Sequence, residues 1–241
     1  RVLQPEMMDQ PDLDLRRHIH ALDALGRANA VSRTAAAIWP SIRAVSQEAT
    51  EHPLRVLDIA CGSGHVLLSL ARRAVRERVD VEWVGWDMSP VAIEYARTLA
   101  SRRGGEGVRF APADALRAPI PAGIDVVVCT LFLHHLPDAD AVALLGRLAG
   151  AARHAVVVSD LRRTRLGTAF TWVGCRVLSR SEVFRVDGMR SVAAAFTTDE
   201  ARDLAAAAGL TGARVREIWP QRWLLTWRRV SRPDPSLVCE V

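Results

Sequence analysis

LRVLDIACGSGHVLLSL, residues 54–70, carries an apolar strand-like run into a glycine turn and then into a helix-like run, with Asp58 near the point where the strand ends. Gly62 and Gly64 in the turn lack the Cβ that blocks close approach of a ligand to the backbone. A dinucleotide fingerprint needs a third glycine, G-x-G-x-x-G, so that helix and strand pack tightly behind a pyrophosphate, but Leu67 occupies that place. The Asp58 carboxylate repels a pyrophosphate and suits a ligand with an ammonium or sulfonium centre.

Outward from this turn, short apolar runs alternate with amphipathic ones. Strands are expected at 54–59, 81–86, 107–111, 124–129 and 155–159, and helices at 64–77, 89–103 and 138–152. Nearly all-apolar strands separated by helices imply a parallel sheet covered on both faces. Ser89-Pro90 reads as an N-cap with proline at the first helical position. TTDEARDLAAAAGL (197–210) reads as a capped helix that ends at Gly209, and 212–230 reads as two strands around Trp219-Pro220. Residues 1–50 hold one or two helices, and 161–196 form a long interruption of the kind that often serves as a lid.

Two further acids fall at strand ends. Asp87 lies 23 positions after Gly64 (87 − 64), where a carboxylate accepts both hydroxyls of a ribose. Asp114, after the third strand, is placed to accept from an adenine amino group. Together with Asp58 they describe a cationic adenosine without phosphates.

Composition narrows the class. A chain of 241 residues with 49% hydrophobic content buries one sizeable core. The net charge of +5 is the balance of 32 basic residues, all arginine and scattered along the chain, against 27 acidic ones, with no basic block interleaved with aromatics. Nucleic acid is therefore not the expected partner. Cys61, Cys129, Cys175 and Cys239 have no metal-ligand spacing, no apolar run is long enough to span a membrane, and the first residues are too polar for a signal peptide. A cytoplasmic protein with free thiols is expected.

VLDIACGSG (56–64), VGWDMSPVAIEYAR (84–97), FAPADALRAPIP (110–121) and IDVVVCTLFLHHL (124–136) resemble, in order, the first four motifs of the class I S-adenosylmethionine-dependent methyltransferases. The resemblance implies an α/β fold: a Rossmann-like, seven-stranded, mostly parallel sheet with helices on both faces and a C-terminal antiparallel strand pair. It implies a helical cap at 1–50, ahead of a methyltransferase domain at 51–241 with a lid-like insertion at about 161–196. The implied cofactor is S-adenosylmethionine, leaving as S-adenosylhomocysteine. Ala60, Gly62, Ser63 and Gly64 would lie against its methionine part and Asp58 would act on its ammonium, directly or through water. Asp87 would hold the ribose, Met88 would pack on adenine, Asp114 and Ala115 would read the adenine edge, and the backbone at Thr130 would bound the methionine end.

The reaction implied is in-line displacement at a methyl on positive sulfur. A hydroxyl acceptor that arrives protonated benefits from a base. Members of this family that methylate sugars and phenols pair a histidine after the fourth strand with an acid after the fifth, which here are His134 and Asp160; His135 is the second choice. Metal-assisted catechol enzymes need an acid where this chain has Thr130, so no metal is expected. The N-terminal stretch 6–33 resembles bacterial small-molecule methyltransferases of polyketide and phenolic-lipid pathways. That likeness would bring Asn29 or Arg33 to the methionine end, the alternative being that both solvate a helix face. His18 and His20 read as surface residues, and Phe170, Trp172, Phe184 and Phe196 suit either a flat acceptor or a core.

The reading is O-methylation of a small aromatic or polyketide-derived acceptor in bacterial secondary metabolism. The alternatives are a quinone-type C-methyltransferase and a cofactor-binding partner protein without turnover. A homodimer is compatible with the chain, and the sequence does not decide assembly.

Overall fold

The computed structural model describes residues 1–10, 12–49, 53–105 and 107–229. Cys239 lies outside them. Two helices, α1 (Leu15–Val31) and α2 (Thr34–Ser46), precede β1 (Leu54–Ile59). Then follow α3 (His65–Glu77), β2 (Val81–Asp87), α4 (Pro90–Arg102), β3 (Val108–Pro112), β4 (Ile124–Thr130), α5 (Asp138–Ala151) and β5 (Ala152–Leu161). The chain continues through α6 (Arg165–Leu178), α7 (Glu182–Ala194) and α8 (Thr198–Ala207) to β6 (Arg214–Ile218) and β7 (Arg222–Arg228).

The seven strands form one sheet in the order β3-β2-β1-β4-β5-β7-β6. The first five strands run parallel, and β7 is antiparallel to both of its neighbours, as expected. Every residue of β4 is buried, which is why the central strands read as continuous apolar runs. Successive side chains still alternate between faces. Val126 and Val128 meet Trp39, Leu70 and Ile93 from α2, α3 and α4, while Val127 and Cys129 join Leu144, Leu148 and Leu204 from α5 and α8. β5 is longer than the expected 155–159 because its pairing with β7 runs from Ala155 to Leu161.

The interruption expected at 161–196 consists mostly of two helices, α6 and α7. Each has a hydroxyl N-cap: Thr164 Oγ1 accepts from the Gly167 amide at 2.8 Å and Ser181 Oγ from the Phe184 amide at 3.3 Å. Of its four aromatics, Phe184 and Phe196 are core residues, whereas Phe170 and Trp172 are exposed. Residues 1–10 have no regular structure but run along α7. The Val2 amide bonds Ala193 O at 3.1 Å, the Met7 and Met8 amides bond the Asp187 carboxylate at 2.7 and 3.0 Å, and Arg190 bonds Pro5 O at 2.7 Å. Among the described residues no helix is long and apolar enough to cross a membrane.

Candidate active site

Strand order reverses between β1 and β4, and the crevice beyond the carboxyl ends at that point is where an open α/β sheet binds its ligand. Asp58 and Asp87 lie at the ends of β1 and β2 there, and Thr130 and Asp160 at those of β4 and β5.

The turn after β1 depends on backbone that side chains resist. Ala60, Gly62 and Gly64 all have positive φ, at 55°, 53° and 71°, and a Cβ on Gly64 would stand 2.6 Å from the Phe110 ring. Asp87 clamps this turn, Oδ2 accepting from the Gly62 amide at 2.7 Å and Oδ1 from the Ser89 amide at 2.8 Å. Burial raises its pKa even against these two bonds. Asp58 is fully buried and neither of its carboxylate oxygens has a hydrogen-bond partner. Burial, and then the charge of Asp87, push it up to about 8. A buried, unpaired carboxylate beside a glycine turn fits a cationic ligand group, so the residues present suit the ammonium end of S-adenosylmethionine.

The other expected contacts divide. Ser63 is buried and its hydroxyl pairs with His65 Nδ1 at 2.7 Å. Asp114 Oδ1 accepts from the Leu116 amide at 2.8 Å, which makes it a turn former as well as a strand-end acid. Ala115 is buried beside it, Thr130 is buried at the end of β4, and Met88 is 71% exposed at the mouth. Asn29 is held by Thr34 Oγ1 at 3.1 Å and Arg222 at 3.0 Å, and Arg33 is exposed in a left-handed turn. His20 is exposed as expected. His18 is not a surface residue: α1 buries it. Burial lowers its pKa, against the opposing charges of Asp87 and Asp9, so α1 lies close to the Asp87 side of the crevice.

His134 sits in a single 3-10 turn, Leu133–His135, directly after β4. Its Nδ1 lies 2.6 Å from Asp160 Oδ1, and its backbone amide donates to Asp160 Oδ2 at 3.1 Å. The Leu161 amide also donates to Asp160, at 2.7 Å. His134 and Asp160 are thus in direct contact, and both side chains are buried. Glu6, which no motif singled out, completes the cluster. Its Oε1 lies 3.7 Å from His134 Nε2 and 3.8 Å from His135 Nε2, and it accepts from the Ser191 hydroxyl. The 3.7 Å separation is too long for a hydrogen bond, and His134 Nε2 has no such partner. Burial alone would lower the His134 pKa, but Asp160 and then Glu6 outweigh it and raise it to about 9. Both carboxylates stay below the usual range in spite of burial, because of the imidazolium. Potential ligand atoms of Glu6, His134 and His135 all lie within 4.8 Å of one another.

A model described as a methyltransferase domain matches residues 51–205. The chain belongs to that family, the class I S-adenosylmethionine-dependent methyltransferases, and its match spans about two fifths of the length of the first curated relatives. It is similar to the demethylmenaquinone methyltransferase of Deinococcus radiodurans, 39% identical over 98 residues, which are 40% of this chain and 39% of that one. Among solved structures it resembles magnesium protoporphyrin IX methyltransferase of Synechocystis with bound S-adenosylhomocysteine (TM-score 0.58, 19% identity, 86% of this chain and 84% of that one). It also resembles an O-methyltransferase family 2 protein of Planctomyces limnophilus in complex with apigenin (TM-score 0.65, 17% identity, 92% and 63%).

Proposed function

We propose that the chain transfers methyl from S-adenosylmethionine to a hydroxyl of a small aromatic or polyketide-derived molecule, with His134 as base and Asp160 orienting it. The observation that carries this reading is the 2.6 Å contact between Asp160 and His134 Nδ1, which leaves Nε2, once it has lost its own proton, as the ring nitrogen that takes the acceptor proton. S-adenosylmethionine supplies an electrophilic methyl on positive sulfur. Asp58 binds its ammonium, the 60–64 turn makes room for its backbone-facing part, and Asp87 accepts from its ribose. Met88, Asp114 and Ala115 line the adenine side, and Thr130 bounds the methionine end. Asp160 holds the imidazole ring in one orientation and carries the countercharge when His134 is protonated. His135, whose ring is tilted by 33° at 4.4 Å from that of His134, shapes the acceptor side. The described N-terminal residues with α1 and α2, together with the α6–α7 insertion, form the cover over the acceptor.

No metal is part of this reading, in which Glu6 and Asp160 face the two ring nitrogens of His134. Chelation then leaves turnover unchanged, and activity that required an added divalent ion would replace the base with a Lewis acid at Glu6, His134 and His135.

The second reading is C-methylation of a quinone-type ring, favoured by the 39% identity to a demethylmenaquinone methyltransferase within the core. A screen of phenolic, quinone and glycoside acceptors with labelled donor, followed by mass location of the methyl, separates the two. Label on oxygen supports the first reading, label on ring carbon the second, and no label on any acceptor with donor bound supports a partner protein.

A further inference from the structure

The α6 helix wears its apolar side outward. Leu166, Phe170, Val173 and Val177 are 55, 40, 51 and 77% exposed and follow one another at i, i+4, i+7 and i+11, one stripe of an α-helix. The opposite side carries Gly167 and Cys175, both buried, and a Cβ on Gly188 of α7 would stand 2.6 Å from Cys175 Sγ. The helix is thus docked through its small residues, leaving the large ones in solvent. Trp219, 63% exposed on the β6–β7 turn, extends the stripe with its ring edge-on to Phe170 at 5.7 Å.

Charge along this face has one sign. Residues 161–181 contain Arg162, Arg163, Arg165, Arg176 and Arg180 and no acid. Arg162 and Arg163 are paired with Glu217 and Glu200 on neighbouring elements. Arg165, Arg176 and Arg180 are exposed and flank the stripe on the side of Trp172, whose ring lies 4.0 Å from the Arg176 guanidinium. The acid nearest in sequence, Glu182, is taken up by Arg17 at 3.1 Å. Arg27 and Arg185 add positive charge at the C-terminal end of the helix, on the carbonyls of Leu178 and Ser179.

We propose that α6 and Trp219 form a docking surface for an anionic lipid bilayer, lying in the plane of the interface with Leu166, Phe170, Val173 and Val177 inserted and Arg165, Arg176 and Arg180 on lipid headgroups. A solvent-facing apolar stripe bordered by arginine and tryptophan is the pattern of an interfacial helix. Two copies of this chain pairing through the stripe would bring the three arginines of one against those of the other with no acid on the helix to answer them, whereas an anionic surface answers all three. The helix starts just beyond Asp160, so such a bilayer lies against the acceptor side of the catalytic crevice.

Sedimentation of the full chain with phosphatidylcholine vesicles, with and without phosphatidylglycerol, at low and raised salt, tests this. The expected result is binding to the anionic vesicles that weakens with salt. Val173→Asp/Val177→Asp lowers it about ten-fold or more by placing charge in the inserted face, and Arg165→Gln/Arg180→Gln flattens the salt dependence. Both variants change exposed side chains, and unchanged S-adenosylhomocysteine affinity shows that they are folded. Absence of binding to either vesicle overturns the proposal, as does equal binding by the aspartate variant. A concentration-dependent dimer that the aspartate variant breaks, in a protein that ignores vesicles, also overturns it and gives the stripe to a second copy.

Discussion

Asp58 and His134 are both buried, yet both hold protons at neutral pH, for different reasons. Asp58 is held near 8 by burial and then by the charge of Asp87. A ligand ammonium supplies a countercharge, so donor binding at pH 7 is expected to release close to one proton, and affinity to rise with pH until about 8. Calorimetry in two buffers of different ionisation heat reads the proton, and Asp58→Asn abolishes its release. Asp87→Ala removes the ribose acceptor together with the clamp on the Gly62 amide, an expected loss of about 1.5–3 kcal/mol, or ten- to a hundred-fold in S-adenosylhomocysteine affinity; an unchanged Kd rules that role out. His134, raised to about 9, must lose its proton before it can take another. Turnover should therefore climb with pH toward 9. His134→Ala is expected to cost roughly a hundred-fold in kcat with donor affinity nearly intact, and the deficit should shrink as the acceptor ionises by itself. His135→Ala should cost less at every pH. If both variants stay within a few-fold of wild type throughout, positioning alone does the work.

Contacts with α7 help hold the N-terminal segment at the catalytic crevice. Asp187 accepts from the Met7 and Met8 amides, and Ser191 donates to Glu6, which faces both histidines. Asp187→Ala leaves two backbone donors unpaired and is expected to speed hydrogen exchange at Met7 and Met8, while raising KM for the acceptor more than it lowers donor affinity. Unchanged exchange there would mean that Arg1, whose guanidinium lies 3.4 Å from the Phe196 ring, holds the segment by itself. The helices themselves were legible where local chemistry marks them. Ser89-Pro90 and the Thr197/Glu200 capping box start α4 and α8 as the sequence implies. The caps of α6 and α7, Thr164 and Ser181, are equally local, but the arginine-rich surface of α6 and its outward apolar stripe disguise the period that a packed helix shows.

Protonation of the site also tilts the stability of the whole molecule. The folded His134 pKa of about 9 exceeds its ordinary 6.5, so its stabilisation is complete below pH 6.5 and is lost as pH rises through 9. Asp58, near 8 against 3.8, acts in the same direction, with stability falling as pH rises toward 8. Asp160 and Glu6, both lowered, contribute stability that is lost only in acid. The donor-free protein should therefore melt at progressively lower temperature from pH 6.5 to 9. Asp58→Asn should shallow that decline, and saturating S-adenosylhomocysteine should do the same by supplying a countercharge. A flat profile would mean that neither group keeps its proton in the folded state.

The sequence alone determined the parallel strands with their covering helices, the glycine turn after the first of them and the strand-end acids Asp58 and Asp87, because each rests on chemistry within a strand, a turn and the helix after it. Continuous apolar strands demand helices on both faces, and glycines at positive φ announce close backbone approach. Pairing His134 with Asp160 was reached through family likeness, and the structure places them 2.6 Å apart. Glu6, the buried His18 and the outward face of α6 were settled by tertiary structure alone. Each depends on which distant segment packs against it, Glu6 on α7 and the 3-10 turn, His18 on α1 lying close to Asp87, α6 on the small residues that dock it. Burial and charge at such positions are set by neighbours far away in sequence, and no local pattern of residues records them.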